Sequence, residues 1–390
     1  MNIKTKKNNW TKVKFGDVVR NANSVERDPK KAGIERIVGL EHLDPGDLHI
    51  HRWNDPENGT SFSRKFVPGQ TLFGKRRAYQ RKVAFAEFEG ICSGDILTFE
   101  PVDPEKLLPE LLPFICQSEP FLDHALGTSA GSLSPRTSWK ALSSYEFSLP
   151  PIKEQKRIAE LLWAADLVYE SYRRLIDRAN QYYLSLIDER LFSEEYKTVS
   201  ISDVAIINKN NLSDSNTKKT YQFSYIDISA IPHPKILGNV ETHKFATAPS
   251  RARRCVENGD ILVSTVRPNL KAFVRLNSLE GPHIASTGFA VISPRDHTLG
   301  SLIFHSLFSR RFSAYCEGRV TGTSYPAISA KDIASFTLNL PETNDLRQII
   351  SRELDGADAA ILNIQRHVKK CQSLRNKLVQ RLLEVGEYYV

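Results

Sequence analysis

The most constraining feature of this chain is that it repeats itself. Phe66 to Phe85, FVPGQTLFGKRRAYQRKVAF, is answered by Cys255 to Val274, CVENGDILVSTVRPNLKAFV, with Gly69 opposite Gly259, Leu72 opposite Leu262 and Lys82 opposite Lys271. Each stretch reads as a turn glycine, an apolar strand, a basic loop and a second strand. Other echoes keep the same order at a spacing of roughly 190 residues. Val13-Lys-Phe-Gly-Asp17 pairs with Val199-Ser-Ile-Ser-Asp203, Ser93–Pro101 with Ser286–Pro294, and Leu111–Phe121 with Leu302–Phe312. Gly127-Thr-Ser129 pairs with Gly322-Thr-Ser324, and SWKALSSYEFSLP (138–150) with SAKDIASFTLNLP (329–341). Chance supplies one such match; a preserved order requires a duplicated unit, here a mixed α/β globule followed by a helix.

The helices carry their own signal. After Pro150 and Pro151 the positions Ile158, Leu161, Ala165, Val168, Tyr172, Leu175, Ala179, Tyr182 and Leu186 step alternately by three and four. A second stripe runs Ile350, Leu354, Ala357, Ile361, Ile364, Val368, Cys371, then Arg375 out of pattern, then Leu378 and Leu382. A sustained period of 3.5 predicts a coiled-coil seam. At about 1.5 Å per residue, about 40 residues give a rod of roughly 60 Å, more than one small globule covers. The expected fold is α+β: two similar α/β domains joined by two long antiparallel coiled-coil helices, an internal repeat with a pseudo-two-fold axis. The predicted boundaries are 1–150 and 196–341 for the globules, and 151–195 and 342–390 for the helices.

Composition bounds the function. At 390 residues the chain exceeds a single ordinary core, and its 41% hydrophobic and 25% charged residues fit a globular protein. No apolar run reaches bilayer length and the basic N-terminus lacks a secretory signal, so a cytoplasmic location is expected. Five scattered cysteines without a CxxC pair argue against a zinc site or a disulfide framework. A net charge of +8 favours a polyanionic partner.

No catalytic set emerges. Gly69 to Lys75 approaches a phosphate-binding loop, but Arg76 stands where a Ser or Thr would hold magnesium. Glu154-Gln-Lys156 lies in a helical first turn, where acid is favoured by the helix dipole. His49 and His51 lack a visible third ligand, so they are read as surface histidines and no metal site is expected. What stands out is basic loops. The first copy carries Arg64, Lys65, Lys75, Arg76, Arg77, Arg81 and Lys82 with Tyr79 and Gln80 among them; the second carries Arg251, Arg253, Arg254, Arg267, Asn269 and Lys271. Lys and Arg position phosphates, while Arg, Gln and Asn also read base edges, so these residues are DNA-contact candidates. Arg136 and Tyr325, in the loops after Gly127 and Gly322, join them.

With these elements in place, Leu149-Pro-Pro-Ile-Lys-Glu-Gln-Lys-Arg-Ile158 resembles the signature L-P-P-x-x-E-Q-x-x-I of the specificity subunits of Type I restriction-modification enzymes. The second copy, from Leu340 to Ile349, departs from it, with Glu342 for the second proline and Asp345-Leu346 for Glu-Gln. The resemblance implies that each globule is a target recognition domain reading one half of a split site on double-stranded DNA, with the helices as spacer. It also implies two methyltransferase (modification) subunits and a restriction/translocase subunit as partners, and no activity of this chain alone. S-adenosylmethionine, ATP and magnesium are then expected in the partners and no cofactor here. Trp163 and Tyr169, off the predicted seam, are the expected partner contacts. The rival reading is a stand-alone DNA-binding or scaffold protein of the same architecture.

Overall fold

The computed structural model describes residues 9–232, 234–235, 237–320 and 326–384. It divides into two compact units, one formed by the residues up to Tyr172 together with those from His367 onward, the other by Arg173–Arg366.

In unit 1 the order is β1 (Thr11–Lys14), α1 (Phe15–Val18), β2 (Val19–Asn21), β3 (Ile37–Val38), β4 (Arg64–Phe66), β5 (Thr71–Gly74), β6 (Val83–Phe85), β7 (Gly90–Cys92) and β8 (Ile96–Pro101). Then come α2 (Leu112–Gln117), α3 (Glu119–Gly127), α4 (Trp139–Leu142), β9 (Glu146–Leu149) and the start of the long α5 (Ile152–Leu191). The sheets are β1-β9, β2-β8-β5-β6 and β3-β7-β4. All four residues of β5 are buried because both faces of its sheet are covered. Phe73, Val83, Leu97 and Phe99 enter a core with α2, α3 and α5, while Leu72, Ala84 and Ile96 enter a second core under the three-stranded sheet. Alternate residues of a strand face opposite ways, so one strand serves two cores.

Unit 2 repeats this: β10 (Lys197–Ser200), α6 (Ile201–Val204), β11 (Ala205–Ile207), β12 (Gln222–Ile226), β13 (Glu241–Lys244), β14 (Ala252–Val256), β15 (Ile261–Ser264), β16 (Phe273–Arg275), β17 (His283–Ser286) and β18 (Phe289–Pro294). It continues with α7 (His297–Ser306), α8 (Arg310–Glu317), α9 (Ala330–Ala334), β19 (Thr337–Leu340) and α10 (Asn344–Val379). Its sheets are β10-β19, β11-β18-β15-β16 and β13-β12-β17-β14, so the one change of plan is a fourth strand, β13, on the third sheet. The duplication expected from the sequence is present strand by strand.

The long helices differ from expectation in register. In α5 the buried positions are Gln155, Ile158, Ala159, Leu162, Asp166, Glu170, Tyr183, Leu186, Ile187 and Leu191, whereas Leu161 (39%), Val168 (47%), Leu175 (46%) and Tyr182 (63%) are exposed. The predicted stripe thus mixed two faces. The true seam carries two buried carboxylates, and a search for apolar periodicity steps over them. In α10 the predicted stripe is buried or half-buried throughout, and Arg375, its odd member, is 2% exposed. The reason lies opposite: Arg375 Nε is 2.8 Å from Asp166 Oδ1. Its other guanidinium nitrogens donate to the Gly46 carbonyl (2.7 Å) and to Gln117 Oε1 (3.0 Å). Within unit 1, Tyr172 also stacks on His367 with ring centroids 5.6 Å apart, so this part of α5 runs antiparallel to α10. Within unit 2, Arg190 Nε donates to Glu353 Oε2 at 3.0 Å.

The helices are also built into the globules. Ile158, Ala159, Leu162, Val379 and Leu382 belong to the core of unit 1, and Tyr183, Ile187, Leu191, Ile350 and Leu354 to that of unit 2. The signature Gln155 explains one such junction. Fully buried, it donates from Nε2 to the carbonyls of Lys106 (2.7 Å) and Pro150 (2.8 Å) and accepts from Leu108 N–H (3.0 Å). In the second copy Leu346 stands there, packed on the core, and Arg347 Nε reaches the Pro341 carbonyl at 2.6 Å.

Among the described residues no helix is long and apolar enough to cross a membrane. The cysteines are free thiols; Cys92, Cys116 and Cys316 are buried, while Cys255 and Cys371 are half-buried.

Candidate nucleic-acid interface

The basic loops of the two units share an unusual backbone. After β5, residues 78–80 form one 3-10 turn flanked by Arg77 (φ 55°) and Arg81 (φ 55°), both left-handed. After β15, residues 268–270 form the same turn between Arg267 (φ 48°) and Lys271 (φ 51°). Non-glycine residues in this region are uncommon and concentrate where surrounding structure holds them for a purpose. The structural partner of Lys271 is therefore Arg81, one residue from the pairing with Lys82 suggested by sequence.

A second loop pins each turn. Arg77 N–H donates to the Pro135 carbonyl and Arg267 N–H to the Pro326 carbonyl, both at 2.7 Å. Arg76 bridges Arg136, and Val266 bridges Ala327. In unit 1 Ala130 and Arg136 exchange two backbone hydrogen bonds of 2.9 Å, closing a small hairpin whose Gly131 has φ 106°.

Asp95 organises the cations above it. Arg136 Nε donates to Asp95 Oδ1 at 3.0 Å, and Arg76 Nη1 lies 3.6 Å from Oδ2. Burial raises the Asp95 carboxyl, but the Arg136 hydrogen bond and the charges of Arg136, Arg76 and Lys75 outweigh it and hold it below its usual range. Arg76 Nη2 also donates to Ser134 Oγ at 3.2 Å. The Nε atoms of Arg76 and Arg77 are buried without a hydrogen-bond partner. Arg76 and Arg136, fixed by these contacts, would meet a ligand at little further ordering cost.

Several candidates are already engaged within the unit. Arg81 forms a two-pronged ion pair with Glu119, whose carboxyl it holds low. Lys82 Nζ donates to the Leu40 carbonyl at 2.5 Å, and Lys65 pairs with Glu89 at 3.4 Å. Arg64 is half-buried on β4 with Nε and Nη1 enclosed. In unit 2, Lys271 Nζ lies 3.4 Å from the Phe308 carbonyl and burial lowers its pKa. Arg253 is engaged with Asp214 (3.5 Å) and the Phe245 ring, and Arg254 with Asn211 (2.8 Å). These side chains hold the loops in shape. Lys75, Arg76, Arg77, Gln80 and Arg136 with the exposed Tyr79 remain at the surface of unit 1, and Arg251, Arg267 and Asn269 at that of unit 2. Tyr325 and the Gly322-Thr-Ser324 motif lie outside the described residues.

The expected partner contacts are occupied internally. Trp163 Nε1 donates to the Glu110 carbonyl (2.9 Å) and its ring packs on Phe85 and Phe114. Tyr169 is half-buried with the Arg375 guanidinium 5.8 Å from its ring centroid. Of the two histidines read as surface groups, His51 is exposed as expected, while His49 is half-buried. His49 Nε2 meets Asp166 Oδ2 at 2.8 Å and Nδ1 meets Glu87 at 3.0 Å, while His51 lies 3.2 Å from Asp47 and 3.6 Å from Glu170. The third partner that sequence lacked comes from α5, more than a hundred residues away in the chain. Asp47, His51 and Glu170 bring ligand-type atoms within 4.8 Å of one another.

One residue escaped sequence reading altogether. Leu133, at the tip of the 130–136 hairpin, is 91% exposed. The signal available was a lone leucine inside Gly-Ser-Leu-Ser-Pro.

The Type I restriction modification DNA specificity domain family matches residues 7–178 and again 193–370, once for each repeat. The chain belongs to this family. Among curated members, it is 26% identical over 194 residues to the Type I restriction enzyme EcoDI specificity subunit of Escherichia coli, covering 46% of this chain and 41% of that one. It is 25% identical over 181 residues to the HindI specificity subunit of Haemophilus influenzae, covering 44% and 37%. The chain thus spans about two fifths of the length of these two relatives in the matched regions. Two solved structures share the fold of the specificity subunit. One is the S subunit of a Type I system from M. genitalium (TM-score 0.60, 14% identity, 99% of each chain). The other comes from work on assembly and conformational transition of the type I R-M system (TM-score 0.53, 19% identity, 96% of each chain).

Proposed function

We propose that this specificity-family chain is the DNA-recognition subunit of a Type I restriction-modification complex in the cytoplasm, without catalytic activity of its own. Each unit reads one half of a bipartite site, and α5 and α10 set the spacing between the halves. The observation that carries the reading is the basic turn built twice, left-handed at both ends and pinned each time by a second loop. A strained turn reproduced in both copies, with arginines at its start, is what two separate contacts to phosphates and base edges call for.

Two methyltransferase subunits would dock on the outer face of α5, where Leu161 and Val168 in unit 1 and Leu175 and Tyr182 in unit 2 are exposed. Apolar residues on one face of a helix, clear of its core, suit a partner helix. Those subunits would hold S-adenosylmethionine and flip an adenine from the duplex, which requires a separate reader to fix the register. A restriction/translocase subunit would supply the ATP- and magnesium-dependent step.

Methylome sequencing of the source strain tests this. A bipartite methylated-adenine motif that disappears on deletion of the gene is the expected result; an unchanged methylome refutes it. Co-purification with an adenine methyltransferase separates the restriction-modification reading from a stand-alone DNA-binding protein.

A further inference from the structure

The hairpin at 130–136 is built to display a side chain that belongs in a core. Its base is fastened four ways: by the paired Ala130 and Arg136, by Arg77 N–H to Pro135, by Thr137 N–H to the Lys75 carbonyl, and by Arg76 to Ser134 Oγ. At its tip Leu133 is 91% exposed, more than any other large apolar side chain among the described residues. Arg76 is bonded to the neighbouring Ser134, Arg136 closes the hairpin's base, and the 53% exposed Tyr79 lies on the turn that Pro135 pins. An apolar tip this exposed, on a base fastened beside two arginines, is poorly suited to water. It suits a duplex, because the cations hold the backbone while an aliphatic wedge enters between base pairs, as leucine does in other duplex-bending proteins.

We propose that Leu133 is a specificity-determining wedge, inserted into a base step of the half-site read by unit 1. It favours sequences whose step there unstacks at low cost, such as pyrimidine–purine steps. This rests on the DNA-reading role above and goes beyond it: it assigns part of the selectivity to deformability, through a residue with no hydrogen-bonding side chain.

The test uses the full chain with its co-purified methyltransferase and a duplex selected from a random pool, with 2-aminopurine placed along the half-site. Wild type is expected to raise fluorescence at one step. Leu133→Ser is expected to abolish that rise and to weaken binding roughly tenfold, the scale of one lost base-pair preference. Its salt dependence and melting temperature stay unchanged, because no cation and no core residue is touched. Equal fluorescence and affinity for the variant and wild type would overturn the proposal. So would a duplex that never unstacks but loses affinity when uracil replaces thymine, since Leu133 would then read a methyl group. Failure of the wild-type complex to select any duplex would instead refute the DNA-reading function itself.

Discussion

His49 keeps its proton because of what faces it. Its hydrogen bond to the buried Asp166 outweighs the opposing effect of burial, and Glu87, Asp166 and Glu170 add their charges, so the imidazole is raised to about 9. An unfolded histidine titrates near 6.5. With the folded value above the unfolded one, the stabilisation is complete below about pH 6.5 and is lost as pH rises through about 9. Its size is of the order of 2 kcal/mol after allowance for the neighbouring charges. His49→Gln should therefore flatten the fall in melting temperature between pH 6.5 and 9, and equal slopes in the two proteins would remove the assignment. Gln155 makes the complementary point about legibility. It was visible in the sequence as part of a signature, but its three backbone partners lie at Lys106, Leu108 and Pro150 and could not be read there. Gln155→Ala leaves buried polar groups unpaired and should cost about 2–4 kcal/mol in urea denaturation.

At the level of elements, the register of α5 was the part that sequence reading lost. Counting apolar residues at heptad spacing succeeds where the seam is apolar, as in most of α10, and fails where carboxylates occupy it. Asp166 and Glu170 are at most 2% exposed, while Val168 between them faces outward. Nothing near Asp166 in sequence announces that Arg375 will neutralise it. Breaking a buried pair from one side leaves an uncompensated charge, whereas replacing both partners by apolar residues can be nearly neutral. Arg375→Met is expected to destabilise unit 1 by about 3–5 kcal/mol. Asp166→Leu combined with Arg375→Met should recover most of that loss, and a double-mutant cycle that shows simple additivity would deny the coupling. The strands fared better: their alternating apolar residues feed two cores, a pattern local enough to be read directly.

For the molecule as a whole, the duplication was legible because it is written in turn glycines and strand patterns that survive divergence. Which basic residues already have internal partners was not, since Arg81, Lys82 and Lys271 are engaged by Glu119, Leu40 and Phe308, partners distant in sequence. Arg76→Ala with Arg77→Ala should abolish or alter recognition at one half-site while leaving co-purification with methyltransferase intact. Leu161→Glu with Val168→Glu should do the reverse, losing the partner while the chain stays folded; retention of the partner would move the docking face elsewhere. The division into units has a further consequence, for the order of events during synthesis. Unit 2 is contiguous in sequence, but unit 1 is completed only by residues after Arg366. On a ribosome the later globule can thus close first, while the earlier one has only His49 to face Asp166 until Arg375 emerges. A chain stopped at residue 366 should yield a protease-resistant second half and a labile first half, the opposite of the usual advantage of being made first.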